Sequence, residues 1–240
     1  MTLSEIRALF ETRSGRSDLV DEDGSDNGAD FFIQSGQRTL DRMVETEKSW
    51  ARSFKTLAAG DYYAIFKGCR AVKEVWLSTS DGRTRLTKVS QTELRKTYDE
   101  DAPDEIDQGD SLVYCLISLR TYPSDSKVII DYLYDHKLED DATDDYEYKG
   151  IIFSPPPDVA AQLEVFGLFS STTLTDDDDE SYWSVNHPEI LLMAALYHLE
   201  VSYRNTEGAK DWMGAINFEL MNIEKDWVEN EIADVTQISG

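Results

Sequence analysis

The sequence predicts an α+β fold: a helical bundle formed by both ends of the chain, with a mainly antiparallel β block inserted between them. Three observations support this. Apolar residues near both termini recur at helical spacing, central residues follow strand-like patterns, and the two kinds of segment are segregated along the chain. We therefore expect N-terminal helices over residues 1–58, a β-rich insertion over 59–170, and an acidic loop, a helical hairpin and a tail over 171–240.

The N-terminal segment is predicted to form two helices separated by a loop. Leu3 to Phe10 has an apolar face, residues 17–28 are acidic and glycine-bearing, and helical spacing returns from Ala29 to Trp50. Within the loop, residues 23–28 match the first half of a calcium loop. Position 12 of that loop is Gln34 rather than the usual bidentate glutamate, so we expect no bound metal.

The central segment is predicted to consist of strands interrupted by one helix. Turn signals such as Asp81-Gly82 separate the apolar runs, and Ser90 with Glu93 forms a capping box that begins the helix. Cys69 and Cys115 lie in strand-like runs, so two buried reduced thiols are the simpler interpretation and one disulfide is the alternative. The predicted strands are 62–66, 71–77, 111–119, 128–134, 151–153 and 162–169.

Residues 186–230 are the most informative stretch, because they predict two long helices with more apolar surface than one partner helix covers. Asn186 or His187 caps the first helix, Pro188 lies in its first turn, and the run from Ile190 to Tyr197 is apolar nearly all round. After a break at 205–208, apolar residues of the second helix alternate at spacings of four and three. A hairpin that completes one subunit's core explains any single stripe. Trp212 and Phe218 lie off the packing seam of the second helix, and together with the all-round apolar first helix they indicate contact with neighbouring copies. The residues predicted to pack are Leu192, Leu196, Trp212, Met213, Ile216, Leu220, Ile223 and Trp227.

The composition excludes several classes of function. With 48 Asp and Glu against 23 Lys and Arg, the formal charge is −25, which is unsuited to gripping nucleic acid through its phosphates. No apolar run approaches the roughly 18 to 20 residues that a membrane span requires. The three histidines (His136, His187 and His198) are dispersed, and no phosphate-binding or nucleophile motif is present. We therefore predict no enzyme activity, no cofactor and no metal.

An ordered series of segments resembles one known family, the neck adaptor or head-completion proteins of tailed bacteriophages. The helix FIQSGQRTLD follows the opening helix and loop, and a strand pair GDYYAIFKGCRAVKEVWL comes next. The series continues with LTKVSQTELRKTYDED and the proline-rich strand exit IIFSPPPDVAAQLEVFGLF. It closes with TLTDDDDESYWSVNHPEILLMAALYHLEVSYRNTEGAKDWMGAINFEL.

The resemblance implies a virion structural protein, a portal-to-tail neck adaptor in a ring of about 12 copies that closes the DNA-filled head and docks the tail. Its implied partners are other copies of the chain, the portal protein and a tail or nozzle protein, while packaged DNA passes through without specific binding. It implies no enzyme activity, and it places the protein in the neck of the virion after assembly in the host cytoplasm. In this reading, residues 224–240 extend to the portal, with Glu229, Ile232, Val235 and Ile238 as the contact residues.

Two other interpretations stay open from the sequence. An acidic stand-alone binding module, such as a DNA mimic or a halophile's regulatory protein, would bind a basic partner in a salt-dependent way. An enzyme with a carboxylate site in the β block would need a cleft with strongly perturbed carboxylate pKa values. The Asp- and Tyr-rich stretch 120–149 is longer than the resemblance predicts, so its role is left open.

Overall fold

The chain divides into two compact units in the computed structural model: residues 1–49 with 170–240, and residues 50–169. The structure describes residues 1–46, 49–98, 106–118 and 148–235; at 224–235, and at 95, 97, 98, 118 and 148, it describes the backbone alone. The predicted strand at 128–134 lies outside the described residues. Helices come from both ends of the chain and strands from its middle, so the predicted α+β class is confirmed.

Two helices open the helical unit, α1 (Leu3–Ser14) and α2 (Ala29–Met43). Thr2 begins α1 with a capping box, in which its hydroxyl accepts from the backbone N–H of Glu5 and the Glu5 carboxylate accepts from the N–H of Thr2. Gly15 ends the helix in the left-handed conformation, at φ 67°, which a residue without a Cβ adopts at low cost.

The predicted helix from Ala29 to Trp50 is wrong at its C-terminal end. α2 stops at Met43, Val44 is extended, and Trp50 begins strand β1 (Trp50–Leu57). The physical reason is tertiary, because every residue of β1 pairs antiparallel with a residue of the chain segment 161–168, and that partner is not visible in local spacing. The β unit therefore starts at residue 50 instead of the predicted 59.

The described strands after β1 are β2 (Tyr63–Lys67), β3 (Cys69–Thr79), β4 (Gly82–Arg85), β5 (Thr87–Lys88), β6 (Val113–Ser118), β7 (Tyr148–Ser154) and β8 (Ala161–Phe169). With β1 they form two four-stranded sheets, ordered β1-β8-β3-β4 and β2-β7-β6-β5. All neighbouring strands are antiparallel except β5 and β6, which are parallel. The predicted strands within the described residues are present with shifted ends, whereas β1, β4 and β5 were not predicted.

Both sheets contribute to one apolar core. Val75 and Leu163 of the first sheet belong to the same buried cluster as Ile151 and Phe153 of the second. The opposite face of the second sheet is covered by α3 (Gln91–Tyr98), whose Leu94 packs with the buried Cys115, Ile117 and Ile152. Cys69 and Cys115 are both buried and free, so the disulfide alternative is wrong.

The helical unit is completed by three C-terminal helices, α4 (Tyr182–Asn186), α5 (Pro188–Ser202) and α6 (Thr206–Val235). α5 begins at Pro188 as predicted, and it contacts α1, α2, α4 and α6. A central position explains why α5 is apolar nearly all round. Its buried residues are Ile190, Leu191, Leu192, Ala194, Ala195, Leu196 and Leu199.

Candidate oligomer interface

A short turn joins α5 to α6 and sets which face of α6 meets the core. Arg204 takes the left-handed conformation there, at φ 58°. The Asn205 side chain accepts from the backbone N–H of Gly208 (3.3 Å) and donates to the Glu200 carboxylate (2.8 Å). Because a side-chain oxygen at this position satisfies a free N–H of the first turn, Asn205 fixes where α6 begins.

One face of α6, the inner stripe, packs on the core of the helical unit. Ile216 and Leu220 are buried, and Trp212 and Ile223 are half-buried against the same cluster. The structure thus brings these predicted packing residues together with Leu192 and Leu196 inside one subunit. Met213 is half-buried. Their packing within the monomer does not test a role between copies.

The opposite face of α6, the outer stripe, consists of Gly214, Ala215, Phe218 and Met221, and all four residues are exposed. Phe218 is 66% exposed and Met221 is 56% exposed. Residues three and four apart lie on one helix face, so the four form a continuous apolar strip. The sequence prediction placed Phe218 off the packing seam and did not name Met221, although the spacing of Gly214, Phe218 and Met221 is visible in the sequence.

Three of the four predicted portal-contact residues, Glu229, Ile232 and Val235, lie at the far end of α6. Its backbone is helical through Val235, past the predicted end at Asn230, so the helix has 30 residues and is about 45 Å long. Trp227, Glu229 and Ile232 lie within this backbone. Ile238 is outside the described residues.

The acidic loop that resembles half a calcium site is held by a guanidinium. Arg7 is 2% exposed and donates to the Asp30 carboxylate through two nitrogens (2.8 and 2.9 Å). Its Nη1 donates to Gly24 O (2.9 Å) and to Asp177 Oδ1 (2.8 Å). These bonds raise the pKa of Arg7, chiefly through Asp30, so the cation is permanent. In the part of the chain that the structure describes, no cluster of His, Cys, Asp or Glu suits a metal ion.

A buried carboxylate fixes the segment that leads into α4. Asp41 of α2 is 4% exposed and accepts from Trp183 Nε1 (2.8 Å), from Ser171 N (2.9 Å) and from Ser171 Oγ (2.7 Å). A buried charge is stable only with such partners. Asp41 therefore ties the chain entering the C-terminal helices to α2, and it was not predicted because its partners are about 130 residues away.

The exposed apolar face of α6 and a family match together identify the class of protein. The helical unit exposes an apolar helix face, which is typical of a surface that contacts other protein chains. A family model for SU10 adaptor protein matches residues 1–234. The chain belongs to this family and is a bacteriophage structural adaptor, a component of the virion. No curated protein matches the chain.

The predicted resemblance is thereby confirmed at the level of a phage adaptor. The family is one of structural proteins rather than of enzymes. Among the described helices, none has the length and apolar character that crossing a membrane demands.

Proposed function

We propose that this adaptor is the neck protein between portal and tail, in a ring of about 12 copies that closes the DNA-filled head and docks the tail. The outer stripe is the observation that carries the proposal. In a chain with a formal charge of −25, an exposed strip built from Gly214, Ala215, Phe218 and Met221 is a feature that solubility alone does not favour.

The stripe has the shape that helix packing between copies requires. A Cβ added at Gly214 would meet no heavy atom within 4 Å, so a neighbouring helix has room to approach the backbone. Full burial of a Phe or Met side chain stabilises by about 1.5–3 kcal/mol, so the exposed parts of Phe218 and Met221 are worth roughly 1–2 kcal/mol each. In a closed ring each outer stripe contacts a different surface of one neighbour, so every subunit takes part in two such interfaces and the contributions accumulate.

The other parts of the chain take their roles from this arrangement. The far end of α6 and the residues that follow it contact the portal, through Glu229, Ile232, Val235 and Ile238. The β unit faces the tail or nozzle protein. A ring wall of acidic subunits repels the phosphates of passing DNA, so DNA moves through without specific binding.

The test is native mass spectrometry of the purified chain, alone and mixed with the portal protein of the same phage. We expect a ring of about a dozen copies, formed alone or on the portal. The double variant Phe218→Ser, Met221→Ser should fold but lose the ring, because it removes the apolar contact. Phe31→Ser on α2 is the matched control, since Phe31 is 69% exposed and lies off the stripe.

Two outcomes would overturn the proposal. A chain that stays monomeric and does not bind the portal protein would support the acidic stand-alone module instead. Equal loss of the ring in the double variant and in the Phe31 control would remove the outer stripe as the contact.

A further inference from the structure

A positively charged region lies within this acidic chain. Residues 50–90, which form β1 to β5 and their turns, contain eight Lys and Arg and three Asp and Glu, so their formal charge is +5. The rest of the chain therefore carries −30, since the total is −25. Such local segregation of charge predicts attraction of an anionic group to this part of the β unit.

The region contains a cavity of about 490 Å³. This volume is within the range of ordinary ligand sites, about 300–1,000 Å³. Three cationic side chains line it against one carboxylate, and apolar side chains complete the wall. The lining residues are Val72, Lys73, Glu74, Arg85, Leu86, Thr87, Lys88 and Tyr114.

The carboxylate of the cavity is already engaged. Glu74 Oε1 lies 3.0 Å from Arg85 Nη2, and Glu74 Oε2 accepts from Trp76 Nε1 (3.0 Å). Lys73 and Lys88 form no ion pair with any carboxylate that the structure describes. Lys73 lies over the Trp50 ring, 5.1 Å from its centroid. Among the residues that the structure describes, these two lysines at the cavity therefore have no compensating anion.

A buried phenol adds a neutral donor to these cations. Tyr114 is 3% exposed and lines the cavity. Burial raises the pKa of Tyr114, with Arg85 opposing the shift, so the hydroxyl keeps its proton at neutral pH. Because Tyr114 lines the cavity, its protonated hydroxyl is a possible donor to an acceptor that binds there.

We propose that this cavity binds a carboxylate side chain of an acidic peptide segment in a partner protein. Lys88 and Lys73 supply charge, Tyr114 donates a hydrogen bond, and Val72 and Leu86 contact the methylene groups of an Asp or Glu. A nucleic-acid strand fits less well, because its continuous line of phosphates would meet the −30 carried by the rest of the chain. The site is independent of ring formation.

The test uses the full-length protein at low salt and a blocked octapeptide of alternating Glu and Gly, followed by isothermal titration calorimetry. We expect saturable binding of this peptide and none of the matching Gln peptide. Lys88→Gln should weaken binding about tenfold, as expected for loss of a charge-assisted contact. Lys55→Gln is the control with the same charge change, since Lys55 is exposed and lies outside the cavity, and its effect should stay within about twofold.

Tyr114→Phe keeps the aromatic side chain and removes only its hydroxyl. Binding of the Glu peptide by this variant should weaken by about threefold or more, and its thermal midpoint should show that the β unit is folded. Equal weakening by Lys55→Gln and Lys88→Gln would overturn the proposal, as would the absence of saturable binding. Tighter binding of an oligothymidylate of equal charge would show a nucleic-acid site instead. If the protein binds the peptide saturably but forms no ring, this site is supported and the proposed neck function is refuted.

Discussion

The contact between α2 and α5 makes an unusual prediction for a glycine in a helix. Gly36 lies in the middle of α2, where replacing glycine by alanine ordinarily stabilises by about 0.5–1 kcal/mol. Here a Cβ at position 36 would be 2.8 Å from Ala195 N and 2.9 Å from the carbonyl carbon of Ala194, both backbone atoms. Backbone atoms cannot rotate away from the contact as the end of a flexible side chain can, so α2 and α5 would have to move apart.

The change in the free energy of unfolding is the difference between two effects, the gain in helix propensity and the steric cost of the added Cβ. Overpacking of a close contact costs typically about 1–3 kcal/mol, and contact with backbone places Gly36→Ala in the upper part of that range. After subtraction of the helix-propensity gain, we expect a net loss of about 1–2 kcal/mol, which lowers the thermal midpoint by about 2–8 °C in a chain of this size. Gly214→Ala is the matched control, because its Cβ would meet nothing within 4 Å. It should stabilise by about 0.5–1 kcal/mol.

The assay is urea unfolding followed by far-ultraviolet circular dichroism, at a concentration where the chain is monomeric. The two substitutions are chemically identical and lie in the same unit, so the sign of the shift in midpoint is the result. A stabilised Gly36→Ala variant, or equal shifts for both variants, would refute the close approach of α2 to α5 and the reasoning from it.

Two further predictions concern polar groups of the helical unit. Asp41→Asn should destabilise by about 2 kcal/mol, because one carboxylate oxygen becomes an NH₂ group and a donor from Ser171 or Trp183 loses its acceptor; a shift in the urea midpoint equivalent to less than about 0.5 kcal/mol would contradict this. Burial lowers the pKa of His198, whose Nε2 lies 2.8 Å from Thr39 Oγ1. When the pKa of a histidine is lower in the folded than in the unfolded state, its contribution to stability is fully present above the unfolded value of 6.5. That contribution is lost as the pH falls through the folded-state pKa. His198→Gln should therefore lose less stability than the parent between pH 7 and about pH 5, and equal losses, measured by urea unfolding at both values, would remove His198 as a cause.

The sequence predicted the inner stripe of α6 and singled out one residue of the outer stripe, Phe218. The inner stripe was identified from its spacing, because a helix face that packs on a core repeats every three or four residues. Phe218 and Met221 repeat in the same way, but spacing alone does not say which of two apolar faces the subunit covers. That choice depends on where α5 and the other helices lie, which only the folded chain shows.

The sequence by itself determined the α+β class, the helices at both ends of the chain with strands between them, the start of α5 at Pro188 and the burial of that helix on more than one side. These follow from local patterns, which need only neighbouring residues to express them. Tertiary structure decided that residues 50–57 form a strand, that Arg7 occupies the acidic loop, and that Asp41 binds Trp183. Each of these depends on a partner far away in sequence, and such contacts do not produce a periodic spacing of residue types that could be recognised in the sequence.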